Sequence, residues 1–385
     1  MTSTTTGHGP TPLRERALAP DLARGVMLLF IALANAHTFL IREAEVTVRG
    51  YPVEHGSLAD SIVAGILTLF VDARSYTLFA ALFGYGLVQL YRREERVGSD
   101  WRTARKLLRR RGFWMILIGL LHAVLLFYGD IIAAYGLVAV IFVAAVRWKD
   151  RTIFAVALVF LVLGSAFYGL AGIPLTDTAT SALTSESLIS AALGRLETFG
   201  LLAVIAWVST VCAFLLGVWA ARRRVLEEPE RHLTLLRRTA VFGIGAATLG
   251  GVPMMLMTTG LVTAGASSGY WASALHAATG YAGGLGYASA IALLALRIGS
   301  RRGPFTQAVV AVGQRSMTCY LTQSVVWAVL FPASTLGLGA TLGVAVTAVI
   351  SIATWLLTVG LAELMRRRDL RGPFEVLLRQ LTYGR

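Results

Sequence analysis

An all-α, polytopic transmembrane helix bundle of about ten spans, N-in and C-in, is the fold class that this sequence predicts. Three observations carry that reading. The 385-residue chain is 56% hydrophobic and only 15% charged, against roughly 25% charged in soluble domains, and its mean hydropathy is +0.67. Its apolar residues fall into runs of about the ~20 residues that a helix needs to cross a bilayer. Its lysines and arginines sit in short segments between those runs, on one side of an alternating topology.

Residues 1–20 are rich in Thr, Gly and Pro and read as a disordered cytoplasmic tail, with residues 21–385 forming one transmembrane domain. The first apolar run covers Leu22 to Ile41. It holds Ala32-Leu33-Ala34, which resembles a signal-peptidase site, but the run continues past that point and carries polar residues that a discarded peptide would not need. The later spans are expected over residues 71–90, 112–128, 130–146, 152–172, 199–221, 238–259, 270–296, 305–331 and 341–365. Residues 57–70 are also apolar, and a crossing there would invert every later loop. The charges arbitrate. With ten spans and the N-terminus inside, thirty of the 35 Lys and Arg residues lie in inner segments, nine of them in Arg92–Arg111. The outer loops hold Arg42, Arg49 and Arg195, and only Arg74 and Arg315 fall within spans. Residues 57–70 are therefore expected as an outer interfacial helix or half-helix.

The formal charge of +14 would suggest nucleic acid in a soluble protein. Here it is an orientation signal, and no aromatic-basic platform appears. Cys212 and Cys319 lie inside apolar runs without metal-like spacing and read as small core hydrophobes; no metal is expected. Gly283-Gly284-Leu285-Gly286 sits within a span with no strand before it, so it reads as close helix packing.

Ionisable groups in hydrocarbon face the bundle interior or a water-filled cavity, and mark function by default. On the first span, Arg24 and Asn35 are eleven residues apart, which on an ideal helix leaves only ~20° between them; His37 then points away from that face, as an interfacial histidine would. His122 lies near the outer end of the third span. Asp130 forms a very tight turn into the fourth, near the bundle's outer mouth, where it can cap a helix and also orient His122. Arg74 follows Asp72 at the outer start of the second span. Arg315 sits ~15 Å inside the ninth, in an unusually polar string that includes Tyr320 and Gln323. A buried Arg keeps its charge and wants a carboxylate or an anionic substrate. The basic Arg92–Arg111 segment, with Arg109, Arg110 and Arg111 at its end, reads as a topology determinant or as a dock for a donor's phosphates.

These residues carry a resemblance. Asp21-Leu22-Ala23-Arg24-Gly25 with Asn35, Leu78 to Gly86 after Arg74, His122 followed by Gly129 to Tyr135, Ser316 to Tyr320, and the tail from Gly372-Pro373-Phe374-Glu375 to Arg385 occur in the order found in the YeiB-like membrane proteins of DUF418. That family resembles the transmembrane acyltransferases, the acyltransferase-3 sugar O-acetylases and the heparan glucosaminide N-acetyltransferase, which move an acyl group from cytoplasmic acyl-CoA to an acceptor across the membrane. The acyltransferase-3 pattern is an Arg, ten residues, then a catalytic His on the first helix. Here that spacing ends on Asn35. The glucosaminide enzyme also has Asn at this place and takes a His from the following outer loop, where this chain has His55.

The resemblance implies an acyltransferase of the cell membrane using acyl-CoA, acetyl-CoA first among the donors, with a hydroxyl or amine acceptor on a small molecule, sugar or lipid. His122, His55 and His37 compete as the base, Asp130 orients it, and Asn35 polarises the thioester. Arg24, Arg74, Arg315 and Arg109 to Arg111 are the expected anion-binding residues. The bilayer and, in a homodimer, a second copy of the chain are the expected partners. The rival from another class is a transporter of a small amphipathic or anionic metabolite, held at midplane by Arg315 and Arg74; a non-catalytic scaffold is the third reading.

Overall fold

Apolar runs must satisfy their backbone internally when no water is present, so each predicted span is expected to close its own hydrogen bonds as a helix. The computed structural model of the chain describes residues 17–41, 46–52, 56–176, 181–300 and 302–384. His55, Arg42 and the tail up to residue 16 lie outside the described residues.

Helix α1 (Leu18–Ala36) starts inside the segment expected as tail, because Pro20 and Asp21 suit a first helical turn. It runs through the centre of the bundle. There follow α2 (Leu58–Phe70), α3 (Ser75–Arg96), α4 (Trp101–Leu125), α5 (Ile132–Phe142), α6 (Asp150–Gly169), α7 (Ser181–Thr184), α8 (Leu188–Arg222), α9 (Leu233–Thr258), α10 (Ala266–Ile298), α11 (Pro304–Gln314), α12 (Ser316–Leu330), α13 (Val344–Arg367) and α14 (Pro373–Tyr383). Among the described residues, seven helical segments are individually long and apolar enough to cross a membrane. The three remaining predicted spans are helical but fall short one by one. The apolar part of α4 follows a basic first half, α5 is 11 residues long and ends in a 3₁₀ turn, Val143–Arg147, and α11 and α12 are separate pieces.

That last break corrects the expectation of one helix over 305–331. The helix stops at Gln314 and restarts at Ser316, with Arg315 between them at φ −120° and ψ 33°. The apolar stretch 57–90 divides as well. Ser57 accepts from the Asp60 amide to start α2, and the chain turns at Val71–Arg74, where Ala73 has φ 60°. α2 is a half-helix wedged against α9 and α13. Thr68 and Thr258 hydroxyls pair at 2.9 Å, and Asp60 accepts from the Ala345 amide at 2.7 Å at the start of α13.

Small residues let the central helices touch. A Cβ on Gly217 of α8 or on Gly313 of α11 would strike the carbonyl oxygens of Ala81 and Asp21 respectively, so α3–α8 and α1–α11 meet backbone to backbone. Gly283, Gly284 and Gly286 pack α10 against α9 and α3. On the outer side the structure adds an element absent from the all-α expectation. It is a small antiparallel sheet, in the order β2 (Tyr51–Pro52), β1 (Val46–Val48), β3 (Leu175–Thr176), turned at Arg49-Gly50 with both residues at positive φ, the geometry of a tight hairpin.

Candidate functional site

The basic ends of the inner segments frame a cavity of about 850 Å³. Its mouth lies between the last turn of α3, with Arg92, Arg93 and Arg96, the segment after α8, with Arg224, Glu227 and Glu228, and Arg371 just before α14. Part of this charge is internally matched: Arg92 lies 3.7 Å from Glu227 and Arg224 2.9 Å from Glu228. The Arg224 hydrogen bond holds the Glu228 carboxyl below the ordinary glutamate range. Farther in, Arg24, Arg111 and Arg315 line the wall. Arg24 is paired with Asp21 at 2.9 Å, and Arg315 donates to the carbonyl of Leu370 at 2.5 and 3.1 Å. The innermost wall is Phe79, Leu82 and Phe83 of α3, Met115 of α4, Ile131 just before α5, Ile132 and Tyr135 of α5, and Tyr320 of α12.

Directly beyond Tyr320 lies His122, with ring centroids 5.1 Å apart. His122 Nδ1 is 2.6 Å from Asp130 Oδ2, and both side chains are buried. The other carboxylate oxygen, Oδ1, accepts from the Ala133 amide at 2.7 Å and caps the start of α5. A carboxylate oxygen accepts, so in the neutral imidazole this contact places the proton on His122 Nδ1 and leaves Nε2 as the acceptor. Nε2 and the Tyr320 hydroxyl are both buried without a hydrogen-bond partner among the described residues. Two groups able to take and give a proton thus sit unspent where the cavity ends.

The tight turn suggested a place near the outer mouth for Asp130, which is buried, 2% exposed. Phe127, three residues before it, packs with Phe39, Trp327 and Phe331 in one cluster, with Phe39 centroids 4.9 Å from Phe127 and 5.7 Å from Trp327.

The other expected site residues divide between this cavity and a second polar cluster. Arg24, Arg111, Arg315 and Tyr320 line the cavity. Arg109 and Arg110 are exposed on the far face of α4, where Arg109 donates to the Val140 carbonyl at 3.3 Å. Asn35 is half-buried and outside the cavity lining. Gln323 is buried, donating to the Leu28 carbonyl at 3.4 Å. His37 is not an interfacial residue: α1 tightens into a 3₁₀ turn over His37–Phe39, which swings the ring inward to stack on Tyr51 at 4.1 Å. Tyr51 donates to Asp72 at 3.1 Å. Arg74 is fully buried beside it, donating to the carbonyls of Asp72 at 2.6 Å, Thr68 at 3.2 Å and Ala247, and facing His276 at 3.0 Å. Arg74 and Arg315 therefore belong to different clusters, and the structure does not bring them to one midplane site.

One residue of the second cluster escaped sequence reasoning. His276 is an ionisable residue inside the apolar run of α10, a signal as plain as that of His122. Arg111 was grouped with its neighbours, yet it stands eleven residues before His122. That spacing puts Arg111, Met115 and His122 on one face of α4 over ~16 Å, from the inner arginines of the cavity to the Asp130 pair.

The bundle and its cavity define a polytopic helical membrane protein. Residues 220–385 match the family described as protein of unknown function DUF418. The chain is 27% identical to the uncharacterized protein YxaH of Bacillus subtilis, over 97% of this chain and 96% of that one. It is 32% identical to the uncharacterized protein YeiB of Escherichia coli over 43% of this chain and 41% of that one. The chain is thus similar to DUF418 proteins over its C-terminal part and to YxaH over nearly its whole length.

Proposed function

We propose that this protein is an acyltransferase of the cell membrane, which takes its acyl group from cytoplasmic acyl-CoA and passes it to a hydroxyl or amine acceptor. The observation that carries the reading is the cavity itself, which enters from the basic face that the charge count predicts to be cytoplasmic and ends on Tyr320 against the His122–Asp130 pair. The donor's phosphates meet Arg93, Arg96 and Arg111, and the thioester reaches the buried end. His122, held in one tautomer by Asp130, takes the acceptor's proton at Nε2. The acceptor's oxygen or nitrogen bonds to the acyl carbon, the C–S bond breaks, and the CoA thiolate leaves with the proton that His122 returns. The Tyr320 hydroxyl is placed to donate to the oxyanion formed on the way. His37, stacked beneath the outer sheet, and Asn35, outside the lining, contribute nothing to this step. The transporter reading loses its midplane pair of arginines.

The test is acyl transfer, or slow acyl-CoA hydrolysis, by purified His122→Gln protein. The expected result is a rate lower by about 10²–10⁴-fold with CoA affinity unchanged. A rate within a few-fold of wild type would sink the histidine mechanism.

A further inference from the structure

Helix α5 begins on the inner wall of the cavity, and the first amides of a helix have no partner within it. One of them is used: Ala133 donates to Asp130 Oδ1 at 2.7 Å. Ile131, the residue just before the helix, lines the cavity, and no acceptor takes its amide among the described residues. That amide faces the Tyr320 oxygen, without a hydrogen bond between them. Tyr320 is 3% exposed, stands on the cavity wall, and its hydroxyl is buried and unpartnered. A backbone N–H and a phenolic O–H therefore converge at the positive end of a helix. The acceptor nitrogen Nε2 of His122, also unpartnered, belongs to the ring packed against that phenol.

We infer that the Ile131 amide joins the Tyr320 hydroxyl in a two-donor oxyanion hole, which makes the backbone before α5 a catalytic group of this site. This inference rests on the acyltransferase reading and adds a participant that no side chain reveals. As the acceptor's oxygen or nitrogen bonds to the acyl carbon, the carbonyl electron pair moves onto the carbonyl oxygen and His122 Nε2 takes the acceptor's proton. The negative charge develops against two donors that no protein group occupies, so neither has to leave a partner first. The pair then returns to reform the carbonyl, the C–S bond breaks, and the CoA thiolate leaves with the proton from His122. Asp130 holds the His122 ring with one oxygen and the Ala133 amide with the other, which fixes the base and the start of α5 relative to each other.

The experiment measures acetyl-CoA hydrolysis, with water as the acceptor, by purified protein in which an ester replaces the Ile131 amide. The ester keeps the side chain and removes only the N–H. kcat should fall about 10²–10³-fold, the usual effect of removing one oxyanion donor. KM and the thermal midpoint should stay near wild type, because that N–H bonds nothing in the folded protein. Tyr320→Phe should lower kcat by a similar factor. The same ester at Ala139, inside α5 and away from the cavity lining, removes a donor of the helix ladder instead. It should lower the midpoint and leave kcat within a few-fold. An Ile131 ester with kcat within a few-fold of wild type would overturn the oxyanion role, as would a rate loss that comes with a midpoint lowered as far as that of the Ala139 ester. In either case a large loss in His122→Gln protein would leave the acyltransferase reading standing. No hydrolysis by the wild-type protein would overturn that reading and this inference with it.

Discussion

The Asp130 carboxylate makes two contacts with different consequences. Oδ1 caps α5 through the Ala133 amide, while Oδ2 holds the His122 ring. Substituting Asp130→Asn separates them. The Asn carbonyl still accepts from the amide, as Asn does well at helix starts, so insertion and folding should be preserved. Its NH₂ group would face Nδ1 as a donor, forcing the proton onto Nε2, where the base must be vacant. Activity should fall about 10²-fold or more with little change in thermal stability. Equal rates for the two proteins would show that the pair is only structural. This residue-scale pair was legible in the sequence, because a turn of one polar residue between two apolar runs leaves Asp130 few places to go. The buried environment of Arg74 was not. It depends on Ala247 and His276 from helices some two hundred residues later, and nothing local marks them as neighbours.

Helix α12 begins inside the bundle, where an unsatisfied helix start is expensive. Glu375 of α14 supplies the missing acceptor. Its carboxylate takes the amides of Met317 at 2.8 Å and Thr318 at 3.1 Å and the Thr318 hydroxyl at 2.5 Å. Gly372 is pressed so close to this contact that a Cβ would collide with the Glu375 carboxylate. Together with the Arg315–Leu370 bonds, these contacts stitch the C-terminal segment under the helix that carries Tyr320. Glu375→Ala should cost about 1–3 kcal/mol, the usual toll of leaving buried donors unpaired, and lower the thermal midpoint more than Glu375→Gln does. Equal midpoints for both variants and wild type would contradict the capping role. Averaged over residues 305–331, hydropathy hides the break that makes the cap necessary. The polar string around Arg315 was the visible trace of it.

For the whole molecule, charge distribution predicted more than periodicity did. Thirty of the 35 basic residues fall in the segments predicted to be inner, a count that predicts a cytoplasmic Arg-framed mouth, and the ten predicted spans each contain helix even where a single piece is too short or too charged to stand out. A reporter fused after Leu226 should therefore read cytoplasmic and one after Thr263 external; the reverse pair would invert the cavity and remove its donor from reach. The small outer sheet went unseen because its strands are two or three residues long and pair across 130 residues of sequence.

What decides the account is whether the cavity takes acyl-CoA from the cytoplasmic side, and the two faces of α4 give that question a built-in control. Arg111 lines the cavity, while Arg109 and Arg110 carry the same charge on the exposed face one turn away or less. Acyl-CoA titrated into purified protein should bind Arg111→Gln about 10–100-fold more weakly than wild type, the loss of one charge-assisted contact of ~1.5–3 kcal/mol, and should bind the Arg109→Gln/Arg110→Gln double variant nearly as well as wild type. Equal affinity of the Arg111→Gln and wild-type proteins would contradict the claim that this cavity is the donor site.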